Sequence, residues 1–210
     1  MERSVALADP IMERQRRVGA VRRSLLTTVR AVAIGAGTMR SYGDGVLDGV
    51  RIERFDGPRA EVRWLFQIAE DSEENRDGYI DDGDVLVAVL DERPVGVLQI
   101  TETGVSDELE INVLAVDEQL QRHGIGRALV EACLTEARGR GCTRVLVSTG
   151  AADVGNLRFY QRCGFRMLGI ERDAFTPDTG YPDAIMVEGV RLWDRVWFDF
   201  DLTHPPVTLS

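Results

Sequence analysis

Residues 116–130, VDEQLQRHGIGRALV, decide how the chain is to be read. A strand ends at Val116, a polar loop follows, and Gly124-Ile125-Gly126 opens an apolar-periodic run. Ile125, Ala128, Leu129, Ala132 and Cys133 fall at i, i+3, i+4, i+7 and i+8, one face of a helix. A helix N-terminus carries free backbone N–H groups and the positive end of the helix dipole. Glycines there let a ligand come close to the backbone, and Arg122 and Arg127 add full positive charge. That combination suits a phosphate; a plain strand-to-helix turn is the other reading. The Walker pattern needs a lysine, and the chain has none. The dinucleotide fingerprint GxGxxG needs a third glycine where Leu129 stands.

Working outward, VRIERF from Val50 alternates apolar and polar residues as a strand does. Pro58 opens a helix whose face is Val62, Leu65, Phe66 and Ala69. The acidic EDSEENRDGYIDDGD is read as a short helix and loop, and DVLVAVL and PVGVLQI as a hairpin turning at Asp91 to Pro94. ELEINVLAV is the strand that runs into the opening stretch. The helix after it ends at Gly139 and Gly141. TRVLVST is a strand, GNLRFYQRC a short helix stopped by Gly164, FRMLGIE a strand, and AIMVEGVRLWDRVWFDF one or two more. A block of strands followed by βαβαβ predicts a mixed α/β sheet with helices on its faces.

The bulk numbers bound the function. Of 210 residues, 44% are hydrophobic and 29% charged, enough apolar surface for a core. No run of 18 apolar residues exists, so no membrane span is expected. A net charge of −10 excludes the basic footprint of a duplex nucleic-acid binder. Three widely spaced cysteines, Cys133, Cys142 and Cys163, suit reduced thiols in a cytoplasm better than a disulfide framework or zinc site. Residues 1–49 form an Arg/Gly-rich extension, expected to be disordered or loosely helical, with no membrane contact expected of it. Residues 50–200 form the domain and 201–210 a tail.

Two signatures then meet. Gln121-Arg122-His123-Gly124-Ile125-Gly126 resembles the Q/R-x-x-G-x-G/A motif of the GNAT acetyltransferase superfamily, and Phe159-Tyr160 to Gly164-Phe165 resembles its FYxxxGF element. They stand in the right order on the right elements, and the resemblance covers about three quarters of the chain. It implies a mostly antiparallel sheet splayed between its fourth and fifth strands, with helices on both faces. It implies acetyl-CoA as acyl donor and no metal. The pyrophosphate would lie on Gln121, Arg122, His123, Gly124, Ile125, Gly126, Arg127 and Ala128. The pantetheine arm would run along Leu114, Ala115 and Val116, pairing with backbone as a strand does.

The implied reaction is direct attack of an amine on the thioester. Tyr160 is the candidate proton donor to the departing thiolate, since a phenol keeps its proton at pH 7. Glu110 is the candidate base; strand parity puts Glu110, Asn112 and Leu114 on one face unless a bulge intervenes. Asn112 is an alternative holder of a relaying water. His123 is expected to contribute backbone only, and His204 to be solvated. Asp153 stands where family members commonly carry a pantetheine-binding Asn, with Asn156 close by. The acceptor is expected to be a small-molecule or peptide primary amine. The acidic run from Glu70 to Asp84 would favour a cationic one. Trp193 and Trp197, spaced to share a strand face, are assigned to core packing, the acceptor site or a homodimer contact. A non-catalytic acyl-CoA-binding sensor with the same fold is the competing class.

Overall fold

A computed structural model describes residues 47–70 and 72–203; the extension before Leu47, and His204 with the tail after it, lie outside the described residues. The strands are β1 (Arg51–Arg54), β2 (Asp84–Leu90), β3 (Arg93–Glu102), β4 (Glu108–Val116), β5 (Arg144–Gly150), β6 (Arg166–Glu171), β7 (Met186–Val187), β8 (Val190–Arg191) and β9 (Arg195–Asp201). The helices are α1 (Arg63–Ala69), α2 (Glu73–Asp77), α3 (Ile125–Gly139) and α4 (Val154–Arg162). Seven strands form one sheet in the order β1-β2-β3-β4-β5-β9-β6. Every neighbouring pair is antiparallel except β4–β5, which is parallel.

Period-two alternation sorts the strand residues into two cores. On one face Leu98, Ile100, Leu109, Ile111, Val145, Val147 and Phe198 pack with Ile125, Leu129, Val130 and Cys133 of α3 and Tyr160 of α4. On the other, Val85, Val87, Val97, Val113 and Ala115 pack with Leu65, Phe66 and Ala69 of α1 and with Val62, Tyr79 and Ile80. The α3 stripe is wider than the sequence spacing suggested: Leu134 and Ala137 are buried with it, while Ala128 is only half-buried. Burial pushes the Cys133 thiol up to about 12, which leaves it a packing residue.

Three local departures have physical causes. The β2–β3 turn is two residues long, Asp91-Glu92, both at positive φ (47° and 62°), so Arg93 and Pro94 belong to β3. Asp is among the residues that tolerate that region, Glu is held there by the turn, and two successive positive-φ residues give the twist a hairpin needs. The second departure is in β4. Gln99 pairs with Val113 but Ile100 pairs with Ile111, so Asn112 is an extra residue in the strand. Glu110 and Asn112 therefore share the α1 face with Val113, while Leu114 turns to the α3 face opposite Leu98. The expected common face of Glu110, Asn112 and Leu114 is broken at Leu114.

The third departure lies between β6 and β9. Residues 172–194 make an excursion carrying the β7–β8 hairpin and a cluster of Ala174, Phe175, Tyr181 and Leu192, closed against Ala152. Trp193 lies outside β9, 41% exposed, with the Arg191 guanidinium 3.7 Å from its ring centre. It does not share a strand face with Trp197, as the four-residue spacing had suggested.

Candidate active site

β4 and β5 are joined by only four rungs, Glu108–Arg144 to Ile111–Val147. Beyond them β4 stays paired with β3 and β5 with β9. The two strands part, leaving a gap whose β4 side is Val113, Leu114, Ala115 and Val116. Leu114 and Ala115 are buried and Val116 half-buried. The bulge at Asn112 sits where the parting begins, because an extra residue bends its own strand away from a straight partner.

The loop after β4 closes on itself. Asp117 accepts from the Gln119 N–H at 3.1 Å, and the Gln121 amide reaches back to the Val116 carbonyl at 3.3 Å. Arg122 takes a positive φ of 66° and Gly124 one of 78°, and α3 starts immediately after. The helix opens with the bond from the Ala128 N–H to the Gly124 carbonyl at 2.9 Å. Among the described residues no side-chain bond caps this helix start, whose N-cap is Gly124. Most helices place Ser, Thr, Asp or Asn here. The His123 side chain is exposed, and its carbonyl accepts from the Leu47 N–H at 3.0 Å. Arg127 is exposed and pairs with Glu131 at 2.8 Å.

The two glycines differ. Gly124 is favoured by its own backbone, since a side chain at a φ of 78° is strained. A Cβ on Gly126 would meet the Phe159 ring at 3.5 Å, an ordinary contact, so the fold tolerates alanine there. Gly124→Ala should therefore cost about 1–2 kcal/mol of stability. Gly126→Ala should match or exceed the parent, given a helix-propensity gain of up to about 1 kcal/mol. Urea unfolding measures both; equal stabilities for the two variants would contradict this division.

α4 lies beside the gap on the α3 face. Asp153 caps it, accepting from the Asn156 N–H at 2.9 Å and from the Asn156 side-chain amide at 3.0 Å. Both residues are buried, and this mutual contact holds the start of α4. Tyr160 is fully buried against Phe159, Phe165 and Phe198, with ring centres 5.1, 5.8 and 6.0 Å away. Its hydroxyl has no hydrogen-bond partner among the described residues. Burial raises the phenol well above its ordinary range, with smaller contributions from Cys163 and Asp153, so it stays protonated at any physiological pH. Thr149, opposite Val196 on the same face, holds a second buried hydroxyl in the same condition. Sequence reading passed over Thr149; a threonine in the apolar run RVLVST was the available signal.

Glu110 is half-buried on the opposite face of the sheet, one residue before the bulge is entered. Beside it the Asn112 amide donates to Gln99 Oε1 at 2.8 Å. Gln99, wholly buried, donates in turn to the carbonyls of Tyr79 and Asp82, each at 2.7 Å. The α2–β2 loop is thus tied through one glutamine to the bulge. Asn112 is a link in that tie, and Gln99, an amide in the apolar run VGVLQI, was not singled out from sequence. Along the acidic run, Glu73 and Asp77 pair with Arg63, and Asp84 pairs with Arg54 and Arg140.

The structure thus sets the glycine-capped start of α3 and the buried Tyr160, whose hydroxyl has no partner among the described residues, on one face of the parted strands, with the Glu110 carboxylate on the other face of the sheet. Residues 51–165 match the acetyltransferase (GNAT) family. Over 153 residues the chain is 30% identical to a Bacillus subtilis protein named as an uncharacterized N-acetyltransferase, YvbK, spanning 73% of this chain and 97% of that one. A Bacillus subtilis acetyltransferase solved in complex with CoA has 30% identity and a TM-score of 0.67, covering 72% of this chain and 98% of that one. A GNAT family acetyltransferase from Elizabethkingia anophelis with acetyl-CoA bound has 25% identity and a TM-score of 0.67, covering 74% and 99%.

Proposed function

The chain belongs to the GNAT family of acetyltransferases and is an acetyl-CoA-dependent N-acetyltransferase, and from that premise we propose that Tyr160 and Glu110 divide its proton transfers across the β4–β5 gap. The observation that carries this is the placement of the two groups. Tyr160 stands on the α3 face and Glu110 on the α1 face, one rung before the β4–β5 pairing ends and the strands part.

Acetyl-CoA supplies an activated acyl carbonyl on a good leaving group. The N–H groups at the start of α3, from Ile125 onward, face where its pyrophosphate would lie, with Gln121 to Gly124 shaping the loop and Arg127 and Ala128 continuing it. Leu114, Ala115 and Val116 offer backbone on the β5 side of β4, where no ladder bond is made with β5. An extended amide-bearing arm fits that edge as a strand would. Glu110 takes the proton that an ammonium must lose before attack, and Tyr160 gives one to the leaving sulfur. Burial keeps the phenol in its protonated form, the form a donor must start from.

The acceptor is a primary amine of a small molecule or peptide, approaching from the α1 face. The acidic run from Glu70 to Asp84 supports a cationic amine end, in spite of the arginines that pair with part of it. The catalytic unit is residues 50–200. A cytoplasmic setting fits the three free cysteines; among the described residues no helix is long and apolar enough to cross a membrane. A homodimer is compatible with the exposed Trp193.

The test is CoA-thiol release with acetyl-CoA and a panel of primary amines. Glu110→Gln should lower kcat/KM for the amine by about 10²-fold, the ordinary worth of a positioned base. Unchanged turnover in that variant would remove Glu110 from the role.

A further inference from the structure

Arg195 opens β9 at the end of the sheet where β4 and β5 have parted. It is registered opposite Gly150 on one side and Glu171 on the other. Its neighbour Val196 belongs to the α3-face core, so Arg195 and Trp197 point to the α1 face, the face of Glu110. The side chain is only 12% exposed. One terminal nitrogen, Nη1, contacts Glu171 at 3.3 Å, and Glu171 also accepts from the Trp197 indole at 2.9 Å. The other edge of the guanidinium is different. Nε and Nη2 are both buried, and neither has a hydrogen-bond partner among the described residues.

Those two N–H groups are parallel and form the fork that binds a carboxylate through two bonds at once. Leaving charged donors buried and unmatched is costly, so such an edge calls for an acceptor. The surroundings are aromatic: Phe175 lies 5.3 Å and Trp197 5.8 Å from the guanidinium. Tyr181 stacks on Phe175 with ring centres 4.8 Å apart. β9 is separated from the gap only by β5, about 5 Å from it.

We infer that Arg195 is the carboxylate anchor of the acceptor site, and that the acceptor is a small amino acid-type molecule bearing its amine and a carboxylate together. The inference rests on the amine-acetylation reading and narrows its substrate class. Glu171 fixes the guanidinium from one side and offsets its charge. The unmatched edge takes the substrate carboxylate, and the amine is left toward the gap and Glu110. No bond is made or broken at Arg195.

The experiment compares acetylation of the twenty free amino acids with that of their carboxamides, read by CoA-thiol release. At least one free acid should exceed its amide by 10-fold or more in kcat/KM. Arg195→Gln and Arg195→Lys should both reduce that ratio below about 3, with the KM for acetyl-CoA unchanged. Lysine keeps the charge but has no fork, so it separates two-point recognition from charge alone, and a thermal melt shows that each variant is folded. Amides as good as their acids in the parent enzyme, or an unchanged ratio in either variant, would overturn the assignment of the anchor. Release with amides but not acids sinks the anchor and leaves amine acetylation standing. No release with either panel overturns the anchor; the panel of other primary amines, run alongside, then decides whether amine acetylation itself stands.

Discussion

Replacing Tyr160 with Phe is expected to lower kcat by about 10²–10³-fold while the KM for acetyl-CoA changes less than threefold, the range set by loss of one general acid. The reason the two parameters separate is that the phenol is needed only as sulfur departs. Stability should not fall with activity. The hydroxyl is buried without a partner among the described residues, and removing it relieves a desolvation cost of about 1–3 kcal/mol at most. The ring contacts with Phe159, Phe165 and Phe198 are kept. A melting temperature equal to or above the parent's, with activity largely gone, identifies a group retained for chemistry. Full activity in the folded variant would reassign the tyrosine to packing.

Gln99→Leu should have the largest effect on stability, about 2–4 kcal/mol. Leucine nearly matches glutamine in volume, so no cavity opens, but three hydrogen bonds at 2.7–2.8 Å are lost. The carbonyl of Tyr79 and the amide of Asn112 are both in places water reaches poorly, which makes each loss expensive. For a domain of this size that is a fall of about 5–15 °C in Tm. The same substitution should raise the KM for the amine more than that for acetyl-CoA, because Gln99 holds the α2–β2 loop and not the start of α3. Equal changes in both constants would mean that the tie supports the whole sheet and not one wall of the site.

These two residues mark the limits of reading the chain without its fold. Tyr160 was legible because its signal is local: FYQRCGF carries the helix, its stop at Gly164 and the tyrosine in seven residues. The α3 start was legible for the same reason, and so was the alternation that gives β2 to β5. Gln99 and the bulge were not, because a bulge belongs to a pair of strands. Nothing in ELEINVLAV says that Asn112 lacks a rung; that follows from where Gln99 and Ile100 fall on the neighbour. Asp153 and Asn156 were ambiguous as ligands, and their mutual contact at the head of α4 became visible only with coordinates. The excursion of residues 172–194 carries little regular structure, so periodicity passes over it, and with it over the setting of Arg195.

Four rungs hold β4 to β5, and across that seam the sheet is two antiparallel blocks, β1 to β4 and β5-β9-β6. A strand-like ligand lying in the seam would act as a mortise between them, joining the blocks beyond the last rung. Folding and ligand occupancy are then one equilibrium: at a donor concentration 100 times its Kd, linkage adds about 2.7 kcal/mol to the folded state. Amide exchange along Leu114–Val116 and Ser148–Gly150 should slow in step with that gain. The concentration of the acyl donor would accordingly set how firmly the two blocks are joined, as well as how fast the enzyme works.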